Sequence, residues 1–235
     1  EPVLHPKLPD IIRLTKGFGF VCGMSNNLNT VVDLRGVVRA EPDYMRISIS
    51  GFTNESYQRT HSGGDVNAVK SNLYLLRHNL DKYKNKRTRV EIGYLVYRHN
   101  FEADLLQMRA LCDELSFSLN WNYAILMPVE SAIEAAQGKV PENVRAITDL
   151  LIVSPQKWSE LSKPYRAEHK DCVMHETRTV INYDGSVPLC CGTYTPETVI
   201  AESFLETSHE EIQARKHSHN LCKACMANMV DRSEE

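Results

Sequence analysis

Five of the seven cysteines in this chain fall within one short stretch: Cys172, the adjacent Cys190 and Cys191, and the C-x-x-C pair Cys222 and Cys225. Thiolates favour zinc and iron–sulfur clusters among biological metals, and four are enough for either, so the grouping reads as one metal centre tying three segments together. Spacing does not choose between the two. Five candidates for four positions leave one thiol spare. Adjacent cysteine side chains diverge, so we assign Cys190 to the set, with Cys191 as its alternate. The competing readings are buried free thiols and a dithiol redox pair at Cys222 and Cys225.

The elements that must hold these thiols are short. "TRTVINYDGSVPL" reads as two strands around Asp184-Gly185, a two-residue hairpin signal, with Cys172 ahead of it and Cys190 and Cys191 at the end of its second strand. "SHEEIQARKHS" reads as a helix in which Ser208 and Glu211 have capping-box spacing, with the C-x-x-C as a loop beyond it. Few apolar residues lie here, too few to hold a fold without help, and metal ligation supplies that help in small units. The polar stretch "SKPYRAEHKD" reads as a linker, which places a boundary between a domain at 1–162 and a cysteine-rich one at 163–235.

Upstream, strand and helix patterns alternate. "LPDIIRLTK" predicts a helix and "FGFVCGM" a short buried strand. In "DYMRISIS", Met45, Ile47 and Ile49 oppose Arg46, Ser48 and Ser50, the period of a strand with unlike faces. Val66, Val69, Leu73, Leu76, Leu80 and Tyr83 mark a helix behind the turn Gly63-Gly64 and the cap Asp65. "RVEIGYLVY" is a strand, Leu105, Met108, Leu111 and Leu115 a helix stripe, and "SLNWNYAILM" a strand ended by Pro128. This alternation predicts an α/β fold with parallel strands.

Three of the strands place their apolar sets, Met45/Ile47/Ile49, Val90/Ile92/Tyr94/Val96 and Leu119/Trp121/Tyr123/Ile125, on one side. Ser48, Ser50, Glu91, Gly93, Asn120 and Asn122 are left on the other. Helices on both sides of a parallel sheet would make both faces apolar, so a polar face predicts the lumen of a wide or incomplete barrel. The plainer alternative is that these polar residues sit at strand ends.

Composition narrows the partners. The 235 residues are 42% hydrophobic and 24% charged with a net charge of −3, which is globular and without the basic stripe that nucleic acid or an anionic membrane surface requires. No run approaches the roughly 18 apolar residues of a membrane span, and "EPVLHPKLPD" has no signal-peptide pattern. With clustered thiols in an odd set, the expectation is a reduced, cytoplasmic protein.

"EPVLHP", "ISISGFTNESYQRTHSGGDVNAV" and the tail "C…NYDGSVPLCC…IAESFLETSHEEIQ…C-x-x-C" together resemble radical S-adenosylmethionine (SAM) enzymes that carry a C-terminal SPASM or twitch domain. The resemblance spans nearly the whole chain. It implies a partial (β/α)6 TIM-like barrel, here lacking its first strands, that binds SAM and a [4Fe–4S] cluster, followed by a domain holding an auxiliary [4Fe–4S] cluster. Cys172, Cys190, Cys222 and Cys225 match the auxiliary ligands. Glu1 looks like the end of the family's Gly-Gly-Glu-Pro segment, which meets the SAM amino group. Ser25 and Asn26 in "MSNN" stand where the family often has Ser-Thr-Asn-Gly, and Ser48 and Ser50 match the strand end that reaches the ribose.

The family's C-x-x-x-C-x-x-C triplet is not in these residues. It precedes the Gly-Gly-Glu-Pro segment, so the expectation is a chain truncated at its N-terminus and inactive alone. The full-length protein would then be an oxidoreductase-type enzyme. Its 5′-deoxyadenosyl radical would take hydrogen from a peptide or a sugar- or aminoglycoside-like small molecule, served by an external electron donor. Arg98, His99, Asn100, Glu91, Asn120 and Asn122 are candidates for substrate contact. His217 and His219 read as exposed rather than ligating. The runner-up is a degenerate, noncatalytic binding protein with a structural zinc or iron–sulfur site made of four cysteines.

Overall fold

The structure, a computed structural model, describes residues 1–168 and 171–232. Its packing divides the chain between Tyr123 and Ala124, ahead of the expected 162/163 boundary. The first unit contains the helices α1 (Leu8–Gly17), α2 (Leu34–Ala40), α3 (Asn54–Tyr57), α4 (Val66–Lys82) and α5 (Ala103–Leu115). Its strands are β1 (Gly23–Asn26), β2 (Tyr44–Ser48), β3 (Arg89–Val96) and β4 (Ser118–Tyr123). All strand pairs are parallel and the order β1-β2-β3-β4 follows the chain without reversal. The fold is thus mixed α/β with a four-stranded parallel sheet.

Local chemistry accounts for the helix starts. Asp33 accepts from the Gly36 N–H ahead of α2, Thr53 from Ser56 ahead of α3, and Asp65 from Asn67 ahead of α4, each satisfying an amide the helix leaves open. The alternation read in β2 is realised: Met45, Ile47 and Ile49 are fully buried. They share a core with Ile92, Tyr94 and Val96 of β3, with Val69, Leu73 and Leu76 of α4 and with Met108 of α5.

The opposite face is polar, as expected. The register puts Ser25, Arg46 and Glu91 side by side on one row and Ser48, Gly93 and Asn120 on the next. Glu91 accepts from the Tyr44 hydroxyl at 2.5 Å and from Asn120 Nδ2 at 3.2 Å, and Asn122 Nδ2 donates to Asn120 Oδ1 at 3.2 Å. The Arg46 guanidinium lies over Gly93 and occupies the space a side chain there would need.

Two expectations in this unit fail. "FGFVCGM" is not a buried strand: β1 begins only at Gly23, and Phe18, Phe20 and Val21 are exposed, because Gly19 at φ +82° turns the chain between α1 and β1. In β4, Trp121 is 39% exposed and Leu119 and Tyr123 only partly buried, because this strand is the sheet edge and has no partner beyond it.

The second unit contains α6 (Val129–Ala136), α7 (Arg145–Thr148), α8 (Pro155–Glu168), α9 (Val173–Thr177), α10 (His209–Ser218) and α11 (Asn220–Ala227). Its strands β5 (Val187–Pro188) and β6 (Val199–Ala201) pair antiparallel. The predicted linker is instead helical to Glu168, α8 running through Pro164 at the loss of one backbone bond; residues 169 and 170 of that stretch lie outside the described residues. The turn at Asp184-Gly185 forms, with Asn182 N–H donating to Ser186 O at 2.9 Å and Gly185 at φ +88°. The expected strand before it does not form, and β5 pairs with β6 across the Cys190-Cys191 loop. Ser208 caps α10 by accepting from the Glu211 N–H at 3.2 Å, as its spacing predicted. The C-x-x-C is not a loop but part of α11, which sets Cys222 and Cys225 three residues apart on one helix face. Among the described residues no helix is long and apolar enough to cross a membrane.

Candidate functional site

Cys172, Cys190, Cys191, Cys222 and Cys225 all line one cavity of the second unit, with a volume of about 60 Å³. By the measure in which one water needs roughly 10–15 Å³, that is room for a group of several atoms. Three local structures deliver the thiols. Cys172 is the residue before α9, Cys190 and Cys191 follow β5, and Cys222 and Cys225 come from α11. Ile212 of α10 packs with Val187, Leu189, Ile200 and Ala201, and Leu221 and Cys222 lie against this cluster, which fixes α11 to the small sheet.

The rest of the lining is largely apolar, including Ile125, Met127, Leu189 and Leu221, and it controls the thiol chemistry. Burial raises the pKa of Cys172 and Cys190 and pushes Cys222 up to about 12, with Cys190 and Cys172 adding to it by charge repulsion. Cys225 is raised most, by burial and then by Asp231, Cys172, Cys190 and Cys222. Four sulfurs that feel one another in an apolar wall stay protonated until a cation compensates them. Cys191 is exposed, whereas Cys190 is half-buried and its Sγ accepts from the Gly192 N–H at 3.4 Å. A Cβ at Gly192 would lie 2.5 Å from Met127 Cε, 2.8 Å from Val129 Cγ2 and 3.7 Å from Cys190 Sγ, so the Met127 and Val129 side chains would have to shift to admit one.

Among the described residues, the donors that crowd within 4.8 Å of one another belong to Asp171, His175 and His217, and no three cysteines do so. Tetrahedral zinc at about 2.3 Å from each sulfur would hold thiolates about 3.8 Å apart. A cubane, whose thiolates bind different irons, holds them farther apart. The other two cysteines stand alone in the first unit, Cys22 partly buried and Cys112 buried with its pKa pushed up to about 12.

Sequence reasoning missed His175 and Lys216. His175 is 3% exposed and lines the cysteine cavity. Its Nδ1 meets Asp171 Oδ1 at 2.8 Å and its Nε2 is buried with no partner among the described residues. The His217 ring stands edge-on to it, with Nδ1 3.4 Å from Asp171 Oδ2, so His217 is not simply solvated; His219 Nδ1 accepts from the Leu221 N–H and caps α11. Lys216 is 1% exposed, and no spacing in "ARKHS" marks it as buried.

In the first unit, the residues expected to meet SAM gather at the carboxyl ends of β1 and β2, where parallel α/β sheets bind ligands. Glu1 Oε2 accepts from the Asn27 N–H at 3.1 Å, beside Ser25 and Asn26. Asn26 is buried on the Ile47 side of the sheet, and neither atom of its amide has a partner among the described residues. Ser48 closes β2 on the polar face. The Ser50 hydroxyl accepts from the Leu95 N–H at 3.1 Å, a backbone contact at the strand end. Asn29, Tyr57 and His61 also gather here: Asn29 Nδ2 donates to the buried Tyr57 hydroxyl at 2.7 Å, and His61 stacks on that ring at 4.2 Å.

The substrate candidates separate. Glu91, Asn120 and Asn122 share the polar face, while Asn100 is buried and spent on backbone, accepting from Tyr97 N–H at 2.7 Å and donating to Leu95 O at 3.1 Å. His99 Nε2 contacts Ser56 O at 3.2 Å and Arg98 is exposed. No protein-family model matches the chain, and no curated protein is significantly similar to it in sequence.

Proposed function

We propose that the chain is the SAM-binding and auxiliary-cluster portion of a radical SAM enzyme, with the auxiliary [4Fe–4S] cluster held by Cys172, Cys190, Cys222 and Cys225. The observation that carries this reading is one cavity lined by thiols from three segments, no three of whose sulfurs crowd within 4.8 Å of one another among the described residues. The parallel sheet supports it too, since its strand order follows the chain and its polar face carries Glu91, Asn120 and Asn122, as the wall of a partial (β/α)6 barrel requires.

When bound, the clusters and SAM supply electron transfer and removal of a hydrogen atom from an unreactive carbon; the protein supplies position and dryness. Glu1, Ser25, Asn26 and Ser48 would bind SAM. Glu91, Asn120 and Asn122 orient a hydroxyl- or amide-bearing substrate, a peptide or a sugar-like molecule, on the polar face. Leu189, Met127 and Leu221 keep water from the thiolates. The triplet that binds the SAM-cleaving cluster is not among these residues, so catalysis belongs to a protein that carries it.

The test is anaerobic reconstitution. The chain is expected to take up about four irons and four sulfides, and a protein carrying the triplet to release 5′-deoxyadenosine on reduction. Zinc without iron or sulfide after anaerobic purification would replace this reading with a noncatalytic, zinc-stabilised one. A triplet-bearing protein that never cleaves SAM would end the enzymatic part.

A further inference from the structure

Helix α10 carries almost no apolar residues, yet Ile212 and Lys216, one turn apart on one face, are buried. Ile212 on that face is in the core with Val187, Leu189 and Ile200, and Cys222 of α11 lies against the same cluster. One turn on, where another apolar side chain would be expected, stands Lys216, 1% exposed. Its ammonium donates to the Arg178 carbonyl, and among the described residues no carboxylate pairs with it. The thiols within electrostatic reach of it are those of Cys222, Cys190 and Cys172.

A buried ammonium facing neutral thiols is costly, because one carbonyl does not replace water. The same ammonium facing thiolates is compensated. Four thiolates around zinc or an iron–sulfur core leave the centre with net negative charge, and Lys216 is the one cation among the described residues that burial fixes beside three of them. We propose that Lys216 is the built-in counter-charge of the thiolate centre and raises its reduction potential by stabilising the more negative, reduced state, favouring acceptance of an electron. The inference rests on the reading of an iron–sulfur cluster at these cysteines.

The test uses the reconstituted chain as wild type, Lys216→Met and Lys216→Arg, titrated with dithionite under redox mediators and followed by electron paramagnetic resonance. Lys216→Met is expected to shift the midpoint to more negative potential, with Lys216→Arg close to wild type. A Lys216→Met cluster with an unchanged midpoint overturns the proposal. Where Lys216→Met does not retain the cluster, cobalt(II) titration followed by thiolate-to-cobalt absorption gives the second readout. Affinity at least tenfold weaker in Lys216→Met than in Lys216→Arg supports the counter-charge, and equal affinities overturn it. If the wild type binds neither iron nor cobalt, the reading of a metal centre fails first; if it binds a cluster whose potential ignores residue 216, only the counter-charge fails.

Discussion

Cys190 and Cys191 are neighbours in the chain with opposite environments. Cys191 is exposed, while Cys190 is half-buried, takes the Gly192 N–H on its sulfur and lies within electrostatic reach of Cys172. An N–H donor at the sulfur favours the thiolate that a metal needs. Cys190→Ser is therefore expected to lower retained iron about tenfold or more, since even losing an outer-shell partner costs 10–100-fold in some metal sites. Cys191→Ser should stay within about twofold of wild type, as iron and sulfide analysis would show. Equal losses in both variants would mean that the ligand role is shared, and a larger loss in Cys191→Ser that the ligand is Cys191. The divergence of adjacent side chains was legible in the sequence; which of the two turns inward depended on the loop closed by β5 and β6.

At the scale of elements, the cysteine-bearing part depends on very little core. Val187, Leu189, Ile200, Ala201 and Ile212 form its buried cluster, Ile212 being the residue α10 contributes, while Arg215 of the same helix donates to the Ile200 carbonyl. Ile212→Ala is expected to destabilise this unit by about 2–5 kcal/mol, read as a lower denaturation midpoint, and to release the cluster faster because Cys222 packs on the same residues. A variant with an unchanged midpoint would show that the metal, rather than this packing, holds α11. The helices of the first unit were readable because their caps and 3.6-residue stripes are local. Asp65 and the Val66-to-Leu80 stripe stand where the pattern put them. The hairpin at Asp184-Gly185 was half readable: the turn is local chemistry, but its first strand lost the pairing to β6, which lies beyond the cysteine loop.

For the whole molecule, the two units carry unequal means of support. The first is built on a sheet whose apolar residues in β2 and β3 are buried, and its cysteines do not line the thiol cavity. The second gathers half-buried, protonation-prone thiols that metal binding would convert into a cross-link among α9, the loop after β5, and α11. Stripping the metal with a chelator under anaerobic conditions is expected to lower the melting temperature and open the amides of β5, β6 and α10 to hydrogen exchange, while those of α4 keep their protection. Unchanged protection at β5 and β6 would make the centre functional but not structural.

By itself the sequence determined the parallel α/β alternation, the polar face of β2 and β3, the capped helices and the candidacy of five thiols, because each follows from residue type and short-range period. Only the tertiary structure decided that those thiols share one cavity, that the C-x-x-C rides on a helix, and that a lysine is buried beside them. Lys216 bonds to a carbonyl 38 residues away, and its own helix reads as a charged, solvated segment. Burial of that kind is set by what packs against a residue from elsewhere in the chain, and no local pattern records it.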